Sequence, residues 1–133
     1  MSIDPLLAHA AAALACLEHA AGELARCGNY SDKGVDAALL ILTTPLRYPK
    51  VKRARAHLAD ARRALDALDA AARAATDPRV GAVHAYWRAR GVVGDWIELD
   101  AGLPMRTQRE ALQAIIDDVR DLGDRLRGLK SST

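Results

Sequence analysis

Apolar residues recur along this chain at alternating spacings of three and four. Between residues 51 and 75 the run is Val51, Ala54, Leu58, Ala61, Leu65, Leu68, Ala72 and Ala75. Near the start it is Leu7, Ala10, Leu14, Leu17, Ala21 and Leu24, and near the end Leu112, Ile115, Val119, Leu122, Leu126 and Leu129. A repeat of about 3.5 residues gathers each set into one narrow stripe on an α-helix, and such stripes bury against one another as in a coiled coil. The pattern predicts an all-α fold: an antiparallel helical bundle of four long helices plus one short apolar helix, with coiled-coil-like packing, in a single domain over residues 1–133.

The breaks between stripes carry helix punctuation. Asp4-Pro5 is a start signal, and Gly28 stands where a first helix would close. Ser31 or Asp32 caps a short second helix to about Thr43, whose centre, Val35-Asp36-Ala37-Ala38-Leu39-Leu40-Ile41-Leu42, is apolar almost all round. Such a helix calls for enclosure or for a partner subunit. Pro45 and Pro49 predict a break, because a residue before proline avoids the helical region. A third helix follows from about Pro49 to Ala75. Asp77-Pro78 repeats the start signal for a fourth, interrupted by Gly81, Gly91, Gly94 and Gly102 and ended by Leu103-Pro104. Thr107-Gln108-Arg109-Glu110 is a capping box for the last helix, which runs to about Gly128.

Composition narrows the interior. Phe is absent, and Ala and Leu supply most of the apolar residues. Methyl side chains leave little between two backbones, so closely approaching helices are expected, without a large ligand cavity. Cys16 and Cys27 fall on the same predicted helix, about 16 Å apart, against the roughly 4.4–6.8 Å that a disulfide permits between Cα atoms. They are expected to be reduced thiols of a cytoplasmic protein. Asp4, and no Lys or Arg, precedes the apolar stretch from Pro5 to Leu17, which argues against a signal peptide. No apolar run reaches the roughly 18–20 residues of a membrane span.

The net charge of +2 is unevenly placed. Arg47, Lys50, Lys52, Arg53, Arg55, Arg62 and Arg63 stand against Asp60 alone, a local charge of +6. On the helix boundaries above, most of these cations crowd a helix N-terminus, the end that repels them by about 0.3–1 kcal/mol each. An anion bound there would offset that cost, since exposed N–H groups and clustered Arg and Lys would both face it. Tyr48, inside the cluster, could stack on an unpaired base. The plainer reading is a solvated face whose cations pair with acids elsewhere in the bundle.

Metal and cofactor chemistry find little support. Carboxylate-bridged metal bundles use Glu-x-x-His pairs, and the chain has none, nor any His-Glu-x-x-His or Cys-x-x-Cys. No metal site and no cofactor are expected. One constellation bears on catalysis: Arg79-Val80-Gly81-Ala82-Val83-His84-Ala85-Tyr86. It resembles the Arg-x4-His-x-Tyr signature of HEPN-domain ribonucleases, small all-helical dimers that often act as toxins. That resemblance implies metal-independent RNA cleavage, with Arg79 stabilising phosphate charge, His84 transferring a proton and Tyr86 accessory. The same residues read structurally have Val80, Val83 and Trp87 as a buried stripe, with Arg79 and His84 beside it.

Trp87 and Trp96 are nine positions apart, about 180° around an unbroken helix. One should face the core, and the other is the expected anchor of a subunit or partner interface. With heptads on three helices, a homodimer is expected. The leading functional expectation is a non-enzymatic binding protein whose segment 47–63 contacts nucleic acid or an acidic protein surface. The alternative is a HEPN-like ribonuclease acting through Arg79, His84 and Tyr86.

Overall fold

The stripe on residues 51–72 is buried as its spacing predicts: Val51, Ala54, Leu58, Ala61, Leu65, Leu68 and Ala72 are each at most 7% exposed. The structure is a computed structural model, and it describes residues 3–25, 37–90 and 105–131. Among these the chain is all-helical, with four helices: α1 (Asp4–Ala25), α2 (Ala37–Ala74), α3 (Pro78–Ala89) and α4 (Met105–Ser131). None is long and apolar enough to cross a membrane.

Contacts between side chains set the helix directions. On α1, His19 meets His57 of α2 with ring centres 5.3 Å apart, and Glu23 meets Arg53 at 3.1 Å. Advancing along α1 therefore means retreating along α2. The same holds between α1 and α4, where Asp4 meets Lys130 at 2.6 Å and Glu18 meets Arg120 at 3.0 Å. α3 doubles back beside α2 after the turn at 75–77, with His84 against Asp69, and its far end lies beside α4, with Arg90 against Asp118. α1 and α3 thus occupy opposite corners, as do α2 and α4, which have no Cα pair within 8 Å.

The α1–α2 seam is lined with alanine. Ala13 and Ala20 of α1 and Ala54 and Ala61 of α2 are fully buried. On α1 the buried set is Leu6, Ala10, Ala13, Leu17, Ala20 and Leu24, while Leu7, Leu14 and Ala21 are only half-buried. The expected stripe is rotated by one position at every other turn. The reason is that α1 packs on α2 along one flank, where small residues allow close approach, and on α4 along the other, so both neighbours set which face is buried. On α4 a similar adjustment buries Ile116 in place of Ile115.

One boundary differs more. The expected break at 44–49 is absent, and α2 is continuous from Ala37 to Ala74, through both Pro45 and Pro49. A proline inside a helix costs about 3 kcal/mol by removing an N–H and crowding the preceding turn. These two stand four apart, so the lost hydrogen bonds fall one turn apart on the same side and leave the rest of the ladder uninterrupted. Of the residues expected to make a separate short helix, 37–43 form the first turns of α2, and the rest lie outside the described residues. The loop after Cys27 and the segment 91–104, with its glycines and Trp96, lie outside the described residues.

Asp77 opens α3 as expected, with Pro78 at the first helical position. Its carboxylate accepts the Arg79 backbone N–H at 2.9 Å and the Arg79 guanidinium at 2.8 Å. The Arg79 side chain, and then its backbone N–H, hold the Asp77 carboxyl below the usual carboxylate range. A depressed pKa of this kind adds stability above the ordinary carboxylate range, and that stability is lost as pH falls through the folded value. Asp77→Ala is expected to lower the melting temperature by about 4 °C at neutral pH. The difference from wild type should begin to shrink in melts below about pH 4, where the unfolded carboxyl protonates, and vanish below the depressed folded value.

Candidate functional site

The basic segment lies in the middle of α2, not at a helix start. Lys50 is more than three turns beyond Ala37, so neither free N–H groups nor the positive end of a dipole faces these cations. That corrects the expectation of a helix N-terminal anion site. The sequence reading misplaced the helix start because it ended the preceding helix at the prolines.

A run of charge on the outside of a long helix remains. With the stripe Val51–Ala54–Leu58–Ala61–Leu65 facing the core, Lys52 and Arg63 fall on the opposite side of the helix and Arg55 and Arg62 on its flank, and all four are exposed. Lys50 is half-buried at the margin of the stripe. Arg53, one turn further along the same side, bonds Glu23 of α1. Arg63 pairs with Asp60, both well exposed. Arg47 and Tyr48 belong to α2, but their side chains lie outside the described residues. α4 differs in its charge pattern: there Arg106–Glu110, Arg125–Asp121 and Arg127–Asp124 pair one turn apart along the same helix. α2 pairs Arg63 with Asp60 in the same way, but it carries six cations and one acid between Lys50 and Arg63.

The three residues of the α3 constellation diverge. Arg79 is tied to Asp77 at the start of the helix. His84 turns to α2, where its Nε2 lies 2.6 Å from Asp69 Oδ1, with both side chains largely buried. Tyr86 turns to α4, where the Arg125 guanidinium lies 3.8 Å from its ring centre, and Arg90 donates to its hydroxyl at 3.1 Å. Arg90 also bonds Asp118 at 2.6 Å, and Asp118 and then Tyr86 raise its pKa above the usual arginine value. Within one chain the geometry therefore does not bring Arg79, His84 and Tyr86 to a common point. The cavity beside His84, walled by Leu6, Leu68, Val80, Trp87 and Leu122, holds about 10 Å³. A ligand pocket takes roughly 300–1,000 Å³.

Trp87 resolves one side of the tryptophan expectation. It is 1% exposed and enclosed by this chain's own helices, which makes it the core-facing one of the two. Its ring meets His84 edge to face at 5.8 Å, and its indole N–H is buried without a hydrogen-bond partner. The heptad stripes are likewise buried within the chain, which removes them as a reason for a dimer.

Sequence reading missed Asp69, the residue that holds His84. The signal was faint: an acid beside the buried Leu68 in a stretch otherwise rich in alanine. It also missed the pairing of His19 with His57 across the α1–α2 seam. The carboxylate Asp69 also accepts from Arg73 Nε at 3.1 Å, which fixes its orientation toward His84. Compared with protein-family models, curated proteins and solved structures, the chain matches none, and its own residues are what carry a functional reading.

Proposed function

We propose that the protein is a non-enzymatic binding module that docks the outer face of α2 onto a polyanion, nucleic acid first and an acidic protein surface second. The observation behind this reading is the concentration of six cations against one acid between Lys50 and Arg63 on a helix the core holds in place. That stretch extends about 20 Å, enough to follow several successive phosphates. Pairing does not withdraw these side chains. Exposed ion pairs such as Arg63–Asp60 are worth about 0–1 kcal/mol, so a phosphate can replace the carboxylate at little cost.

The diverging α3 residues favour this reading over catalysis. Asp69 and Arg125 engage His84 and Tyr86 as ties that fix α3 to α2 and α4. The test is a charge-reversal variant, Lys52→Glu with Arg55→Glu, Arg62→Glu and Arg63→Glu. All four positions face solvent, so its circular dichroism should match wild type. Its affinity for single-stranded RNA at about 50 mM salt is expected to fall at least tenfold. His84→Ala should leave that affinity unchanged. RNA cleavage by wild type that His84→Ala abolishes would instead favour the ribonuclease reading.

A further inference from the structure

We propose that His19 and His57 form a two-histidine site for a late first-row divalent metal ion such as zinc, clamping α1 to α2. The two residues are far apart in sequence, and only the packing of the helices brings them together. His19 is exposed and His57 half-buried, so the pair sits at the rim of the seam, open to an ion from solvent.

The spacing fits shared ligation. A ring nitrogen lies about 1.2 Å from the imidazole centre, and zinc bonds it at about 2.0–2.1 Å. Two imidazoles on one tetrahedral ion therefore have their centres about 5.2 Å apart. The observed separation is 5.3 Å, with the ring planes at 61°. Ligation requires each ring to turn about its own side-chain bonds until one nitrogen faces the shared ion. Neutral imidazole suits zinc, copper and nickel, whereas calcium and magnesium prefer oxygen ligands, which sets the class of ion.

Charge around the pair is balanced. Glu23 stands one turn beyond His19, Arg53 one turn before His57, and these two bond each other at 3.1 Å. Among the described residues no three His, Cys, Asp or Glu side chains are grouped to hold an ion. The site accordingly offers two protein ligands and leaves the remaining positions to water. Because the unfolded chain does not hold the rings together, the ion binds the bundle selectively and stabilises it.

The test is a titration of the full chain with zinc chloride, followed by histidine ring resonances and by thermal melting. Saturable shifts are expected at His19 and His57 but not at His9 or His84, together with a rise in melting temperature that EDTA reverses. His19→Ala and His57→Ala should each remove that rise while keeping the wild-type circular dichroism, and His9→Ala and Cys16→Ser should retain it. An equal rise in the His19→Ala/His57→Ala double variant would overturn the proposal. So would unmoved His19 and His57 rings at roughly hundredfold zinc excess over protein.

Discussion

Trp87→Ala is expected to be the most damaging single substitution, lowering stability by about 3–5 kcal/mol. The indole is among the largest fully buried side chains, and it joins α3 to Leu6 of α1, Leu68 of α2 and Leu122 of α4 around one cavity. α3 is only 12 residues long, and its backbone does not come close to that of α1, so few other contacts can compensate. Trp87→Phe should cost much less. It keeps most of the ring and removes an indole N–H that is buried without a partner, a donor whose desolvation is uncompensated. Urea unfolding of the two variants checks both statements. Equal losses for Ala and Phe would mean that the N–H has a partner and that the ring volume is not what matters.

Ala61→Leu is expected to cost about 3 kcal/mol or more, although it adds apolar surface. Ala61 has no exposed area and lies in the alanine seam, where added methyl groups would have to part α1 from α2. Ala56→Leu, on the exposed side of the same helix, is the matched control and should change stability by under about 0.5 kcal/mol. A mild effect at Ala61 would show that the two helices are not in close contact there. The pair of substitutions therefore separates helix propensity, which is the same at both sites, from packing, which is not.

How much of this was legible in the sequence depends on the kind of residue. The α2 stripe from Val51 to Ala72 could be read directly, because one apolar face on a continuous helix has one periodicity. Asp77 was legible too, since an N-cap acts within a single turn. The α1 register was read one position off at alternate turns because α1 packs on two neighbours at once, and spacing alone does not say which flank is buried deeper. The proline segment was misread because a local preference at Pro45 and Pro49 was taken as decisive, and with it went the supposed helix N-terminus under Lys50.

Pairings between helices were the least visible. His84–Asp69, His19–His57 and Tyr86–Arg125 each depend on which faces meet, a property of the assembled bundle. The Arg79–His84–Tyr86 spacing looked like one site in the sequence and resolves into three separate contacts. Each is made with a different element: the turn before α3, α2 and α4. For the basic face the order was reversed. Composition located the cations, and the fold changed only the reason for attending to them, from a helix terminus to an outward-facing run on α2.

The most direct test of the binding face is the salt dependence of affinity. Wild-type protein would be titrated into labelled single-stranded RNA and duplex DNA, read by fluorescence anisotropy, at 50 and 200 mM salt. With three or four phosphates neutralised, the logarithm of the RNA association constant should fall with that of salt at a slope of about −2 to −3. Affinity for either nucleic acid that does not change with salt, or no binding at 50 mM, would contradict the reading of α2 as a phosphate-contacting face.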